Sequence, residues 1–247
     1  MKFKLLLRIL YQPYKWFFFI PFLMVNTLIF AAIAVMVAIL TSPQKASIIG
    51  VLWARVNAFF TPLFTEIKGT ENISPNTSYI IVANHQSYYD IFLMYGWLGI
   101  DFKWVMKKEL RKVPALGIAC EKIGHIFLER SNSKEALDTL NETKKKLVNG
   151  TSVVMFPEGT RSKGNVLNPF KKGAFKLAWD LELPILPITL IGTGNILPPD
   201  SLNIFPGKVT MIIHEPISYA VYKNNDMHVL MNEVRKKIEK PLLELKQ

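Results

Sequence analysis

Between positions 16 and 44 the chain carries no charged residue: WFFFIPFLMVNTLIFAAIAVMVAILTSPQ. About 20 apolar residues are enough for a helix to cross a bilayer core, and this run is longer. It begins too late, and continues too far past Ala32-Ile33-Ala34, to be the apolar region of a cleaved signal peptide. Ser42-Pro43-Gln44 reads as a turn, and a second apolar run, ASIIGVLWARVNAFFTPLF, follows it with Arg55 able to extend its head to water. The pattern predicts a two-helix hairpin over residues 1–66, embedded in one leaflet or lying on its surface with both ends cytoplasmic. Lys2, Lys4, Arg8 and Lys15 precede the run without an acidic residue, which favours a cytoplasmic N-terminus. Two complete crossings are the alternative, and Arg55 makes the second costly.

From about residue 67 the texture changes. Short apolar runs at 79–83, 102–106, 125–129, 152–156, 185–191 and 208–214 read as strands. Helical periodicity fills the gaps. Over 133–149, Leu137, Leu140, Leu147 and Val148 share a face, Asn132 or Ser133 caps the start, Glu135 sits in the first turn and Gly150 closes the end. Further helices are expected over 172–183, before Pro184, and over 227–240, stopping at Pro241. Strands alternating with helices give an α/β domain over 67–247, a mixed sheet covered by helices.

Composition sharpens this picture. Half of the 247 residues are hydrophobic, mean hydropathy is +0.21 and the formal net charge is +11, a balance that suits anionic lipid, nucleic acid or an acidic protein. One cysteine, Cys120 in an apolar stretch, leaves no internal disulfide framework or cysteine-based zinc cluster and reads as a small buried hydrophobe.

Candidate chemistry gathers where strands end. NHQSYYD (84–90) places His85 and Asp90 five apart, a spacing that turns them away from each other on a continuous helix. A strand ending near Ala83, a loop carrying His85 and a helix opening near Asp90 would bring them together, so that the imidazole takes a proton while the carboxylate holds its tautomer. A turn histidine beside a helix-capping aspartate fits the same letters. FPEGTRS (156–162) ends another strand with the carboxylate of Glu158, the permissive backbone of Gly159, the hydroxyl of Thr160 and the forked donor of Arg161. GHIFLER (124–130) ends in Arg130, and Lys107 follows the strand before it. Lys103, Lys108, Arg111 and Lys112 fit a solvated basic edge. His125, His214 and His228 lack ligand-like spacing, and IGTGN (191–195) is a weak dinucleotide signal.

Taken together, these blocks resemble the glycerolipid acyltransferase family, most closely its bacterial-type 1-acyl-glycerol-3-phosphate acyltransferases. Asn84, His85 and Asp90 match the family's N-H-x-x-x-x-D block, and residues 156–162 match F-P-E-G-T-R-S letter for letter. GHIFLER follows a G-x-I-F-I-D-R pattern with Leu128 and Glu129 differing and Arg130 retained, and LPILPITLIGTG resembles the fourth, apolar block. The resemblance implies that His85 deprotonates the sn-2 hydroxyl of lysophosphatidic acid for attack on an acyl thioester, with Asp90 orienting it. It also implies that Glu158, Gly159 and Thr160 help hold the acceptor while Arg130, Arg161 and Lys107 grip its phosphate. No metal or redox cofactor is implied. Acyl-coenzyme A or acyl-acyl carrier protein is the co-substrate, membrane lipids are the surroundings, and the cytoplasmic face of the cell membrane is the expected location. The basic surface would suit acidic acyl carrier protein, and residues 91–98 are one candidate wall for the acyl chain. Glycerol-3-phosphate or another lysophospholipid is the nearest rival acceptor. A His/Asp hydrolase and a basic, non-catalytic membrane protein that binds nucleic acid are more distant readings; the preferred reading has no nucleic-acid partner.

Overall fold

A computed structural model describes residues 9–129, 139 and 150–244. Apart from Thr139, the helix expected over 133–149 lies outside the described residues, as does the candidate residue Arg130. A helical stretch Ile9–Leu40 of 32 residues with hydropathy 2.6 is the one helix, among the described residues, long and apolar enough to cross a membrane. It contains a π turn, Lys15–Phe19, leading into α1 (Ile20–Leu40). The chain reverses at Thr41-Ser42, where the Ser42 hydroxyl accepts the Lys45 amide at 3.3 Å and Pro43 takes the first helical position of α2 (Pro43–Phe60). Two polar pairs set the register between the helices: Trp53 Nε1–H donates to Thr27 Oγ1 at 3.0 Å, and Asn26 Nδ2–H to Asn57 Oδ1 at 3.2 Å. In apolar surroundings an unmet donor is penalised, so these pairs resist sliding.

Strand β1 (Leu63–Lys68) follows at once, so the boundary placed between residues 66 and 67 falls inside a strand. The apolar run hid it, because residues 63 and 64 continue the hydrophobicity of α2 across Pro62. The remaining elements are β2 (Ile80–Ala83), α3 (Tyr89–Trp97), β3 (Phe102–Lys107), α4 (Leu116–Ile123), β4 (Ile126–Leu128), β5 (Ser152–Met155), α5 (Gly173–Leu181), β6 (Ile185–Ile191), α6 (Thr193–Ile196), β7 (Gly207–Ile213), α7 (Tyr219–Tyr222) and α8 (Met227–Glu244). Pro241 lies inside α8 rather than ending it.

The sheet runs β1-β7-β6-β2-β5-β3-β4, and every pair is parallel except β6 with β7. It is mixed, as the alternation implied. Strand β2 is buried throughout, with side chains dividing by the two-residue period. Ile81 and Ala83 face one core together with Phe19, Ala54, Phe92 and Leu93, while Ile80 and Val82 face the other with Phe175, Leu230, Val234 and Ile238. The helix pair therefore shares a core with the sheet. Arg55, expected to reach for water, is exposed, and its Nε–H also donates to the Gly96 carbonyl at 2.8 Å, tying α2 to α3.

Lys103 is also a correction. It is buried, not part of a solvated edge, and its ammonium donates to Ser47 Oγ at 3.0 Å and Asp101 Oδ1 at 3.1 Å. Burial lowers its pKa, and the Asp101 carboxylate opposes that shift. One of these partners, Ser47, is 56 residues away in the helix pair.

Candidate active site

Parallel strands β6, β2, β5, β3 and β4 deliver their C-terminal ends to one edge of the sheet, the side on which α/β proteins build sites. At the end of β2, Asn84 is fully buried and pairs twice with Leu190 of β6: its Nδ2–H donates to the Leu190 carbonyl at 2.9 Å, and its Oδ1 accepts the Leu190 amide at 2.7 Å. The next residue is thereby held at the sheet's rim. His85 Nδ1 lies 2.7 Å from Asp90 Oδ2, which also accepts the amides of Gln86 at 2.7 Å and Ser87 at 2.8 Å. An acceptor carrying these two backbone donors accepts a third proton from Nδ1, leaving Nε2 of the neutral ring as the basic nitrogen. The Ser87 hydroxyl meets the Tyr89 amide at 3.2 Å and donates to the Leu197 carbonyl at 2.8 Å, which sets the tight bend into α3. The strand–loop–helix arrangement expected around this pair is the one observed.

Residues 156–162 follow β5, the neighbour of β2. Phe156 stacks on the His85 ring with centroids 4.0 Å apart and planes 9° from parallel, and Trp104 of β3 extends the stack at 5.7 Å. Glu158 is buried, and both of its oxygens are engaged by main chain: Oε1 accepts the His85 amide at 2.9 Å and Oε2 the Asn168 amide at 2.7 Å. Burial raises its pKa, partly offset by those two amides. The His85 carbonyl in turn accepts the Ser162 amide at 2.7 Å. Arg235 of α8 donates to the carbonyls of Leu167 at 2.8 Å and Asn168 at 2.7 Å, bracing the loop that holds Glu158.

A cavity of about 600 Å³ opens beside His85. Its mouth includes Lys107, Gly159, Thr160, Arg161 and Asp200, and its walls include Ala34 of α1, Gly50 of α2, Ile91 and Tyr95 of α3 and Cys120 of α4. Arg161 lies 4.2 Å over the Tyr88 ring and 3.5 Å from Asp200. Gly159 has φ +72°, a backbone conformation that favours glycine, so the turn requires it. From residues 91–98 only Ile91 and Tyr95 line the cavity; Phe92, Leu93 and Met94 belong to the core. His125 also borders it, in a packing role: Nδ1 accepts the Trp104 amide at 3.3 Å, Nε2 lies 3.2 Å from the Tyr95 hydroxyl, and burial with the nearby Lys103 charge lowers its pKa to about 3.

The candidate residues thus separate. His85, Lys107, Gly159, Thr160 and Arg161 border one cavity, Asp90 stands behind His85, and Glu158 is turned inward as a brace. Sequence reasoning overlooked Phe156, Asn168 and Asp200. Phe156 had a visible signal, an aromatic at the mouth of a strand in the same block. Asn168 acts through its amide, and Asp200 stands 39 residues from Arg161, so neither left one.

The acyltransferase family model matches residues 64–191, just over half of the chain. The protein belongs to the acyltransferase family. This acyltransferase is 39% identical over 190 residues to a chloroplastic 1-acyl-sn-glycerol-3-phosphate acyltransferase of Brassica napus, covering 76% of this chain and 53% of the relative. It is 36% identical over 188 residues to the Saccharomyces cerevisiae 1-acyl-sn-glycerol-3-phosphate acyltransferase, covering 74% and 61%. The chain therefore spans about half to three-fifths of these curated relatives. Among solved structures, the 1-acyl-sn-glycerophosphate (LPA) acyltransferase PlsC of Thermotoga maritima superposes with TM-score 0.79 at 28% identity, covering 99% of this acyltransferase and 97% of that chain.

Proposed function

We propose that the protein transfers an acyl chain from a thioester to the sn-2 hydroxyl of lysophosphatidic acid, giving phosphatidic acid. The carrying observation is the His85–Asp90 pair at the opening of a largely apolar cavity with Arg161 at its mouth. The substrates named for the plant, yeast and Thermotoga relatives support the choice of acceptor. In this reading Nε2 of His85 takes the hydroxyl proton as the oxygen attacks the thioester carbonyl carbon. The C–O bond forms while the carbonyl pair moves to oxygen. Collapse expels the thiolate, which recovers the proton from the imidazolium that Asp90 has stabilised. Arg161 and Lys107 meet the phosphate, with Gly159 and Thr160 bordering the glycerol. Glu158 acts at one remove, by holding the His85 backbone. No metal or redox cofactor enters the scheme; acyl-coenzyme A or acyl carrier protein supplies the acyl group.

The helix pair seats in one leaflet, on the cytoplasmic face in this reading, so that an acceptor resident in the membrane meets a water-soluble donor. The direct test supplies purified protein with labelled acyl-coenzyme A or acyl-acyl carrier protein, each with lysophosphatidic acid or glycerol-3-phosphate. Phosphatidic acid formed from lysophosphatidic acid alone is the expected result. Transfer to glycerol-3-phosphate would replace the acceptor and keep the chemistry.

Two variants probe the cavity. Arg161→Ala loses a charged hydrogen-bond partner worth about 1.5–3 kcal/mol, so KM for lysophosphatidic acid rises roughly 10–100-fold while KM for the donor stays near wild type. Equal damage to both constants would remove Arg161 from the phosphate site. Ala34→Leu adds bulk to the wall, and competition among acyl-coenzyme A chain lengths should show the preferred chain becoming shorter. An unchanged preference would place the acyl chain elsewhere.

A further inference from the structure

A second surface faces the same way as the apolar flank of α1. Among the described residues, Leu110, Val113 and Ile118 are 39%, 39% and 56% exposed, and Lys108, Arg111 and Lys112 stand exposed among them. They occupy the 3-10 turn Lys108–Lys112, Val113 directly after it, and the start of α4. Arg111 also pairs with Glu121 of α4. An open apolar groove of about 530 Å³ joins this segment to α1: Leu28, Met36, Ile39 and Leu40 line one side, Ala115 and Ile118 the other. Leu28, Met36, Ile39 and Leu40 are themselves exposed. Leu110 and Lys107 border the catalytic cavity, so the turn stands at its mouth. The segment is firmly seated, since a Cβ on Gly117 would fall 2.1 Å from the Arg111 carbonyl oxygen, leaving no slack between turn and helix.

We propose that the turn 108–112 and the first turn of α4 form a second contact with an anionic lipid surface, which holds the cavity mouth against the leaflet. This inference rests on the reading of the helix pair as membrane-embedded. Bases alone would suit an acidic protein equally well. The three apolar side chains interleaved with them, and their continuity through the groove with the exposed flank of α1, fit a bilayer interface, where apolar groups enter the acyl boundary and bases meet headgroups.

The test uses the full chain in phosphatidylcholine vesicles with and without phosphatidylglycerol. Single cysteines at Val113→Cys, Leu40→Cys and Lys223→Cys carry an environment-sensitive fluorophore, and nitroxide-bearing lipids act as quenchers. Cys120 is replaced by alanine in each variant, so that the introduced cysteine alone carries the label. Lys223 lies beyond α7, which packs on the opposite sheet face from the helix pair. Labels at 40 and 113 should be quenched, the latter more strongly with phosphatidylglycerol, and the label at 223 should not. Quenching at 40 but not at 113 would overturn the second contact and leave the hairpin reading standing. Quenching at neither would remove both. The triple variant Lys108→Gln/Arg111→Gln/Lys112→Gln should lose roughly tenfold in activity on lysophosphatidic acid presented in anionic vesicles while keeping its activity in detergent micelles. A triple variant unimpaired in vesicles but defective with acyl-acyl carrier protein would assign the surface to an acidic protein and overturn the proposal.

Discussion

Replacing His85 by alanine should lower turnover by at least the roughly 10²–10⁴-fold that a positioned general base contributes, with the protein still folded. Folding should survive because the His85 backbone, not its ring, makes the structural bonds: its amide to Glu158, and its carbonyl to the Ser162 amide and hydroxyl. The ring contributes the stack on Phe156 and the bond to Asp90. Asp90→Asn is the companion variant. Its amide oxygen can still accept from Gln86 and Ser87, so the bend into α3 persists while the charge behind the imidazole disappears. A loss of about 10²–10⁴-fold is expected there too, with circular dichroism unchanged. Near-normal turnover in either variant would defeat the mechanism.

The second large effect belongs to Glu158. A carboxylate that held glycerol would show itself through KM. A carboxylate that braces the His85 loop would act on kcat instead. Both of its oxygens accept main-chain amides, and glutamine has only one acceptor to offer. Glu158→Gln would turn an N–H toward an N–H, leaving a buried donor unmet at about 1–3 kcal/mol. The expected outcome is a roughly 10–100-fold fall in kcat in both Glu158→Gln and Glu158→Ala, with KM for lysophosphatidic acid nearly unchanged. A Glu158→Gln enzyme with normal kcat and a raised KM would return Glu158 to the acceptor site.

What could be read from the letters was local. The apolar runs of β2, β5 and β6 announced strands, and a histidine and an aspartate five apart announced a bend between strand and helix. Glycine at 159 announced a turn. Features set by distant partners stayed hidden. Lys103 looked solvated because its hydroxyl partner, Ser47, belongs to another element. The two main-chain amides that Glu158 accepts leave no trace in composition. Strand β1 vanished into the hydrophobicity of α2, since its pairing with β7 spans most of the domain. The carbonyl at the end of α3 that Arg55 also meets was hidden in the same way.

The cavity wall has a consequence for how the enzyme is handled. Ala34 and Gly50 come from the helix pair, while Tyr95 and Cys120 come from the α/β domain, so two bodies enclose one space. Tyr95 packs so closely on Gly50 that a Cβ there would lie 1.9 Å from its ring. Loosening of the pair, by a harsh detergent for instance, should open the slot at Gly50 and Tyr95 before it reaches His85, whose backbone is held within the domain by Glu158 and Ser162. Selectivity for chain length and catalytic speed should therefore come apart during solubilisation. With the helix pair seated in a leaflet, as proposed, fidelity would then vary with the mechanical state of that film.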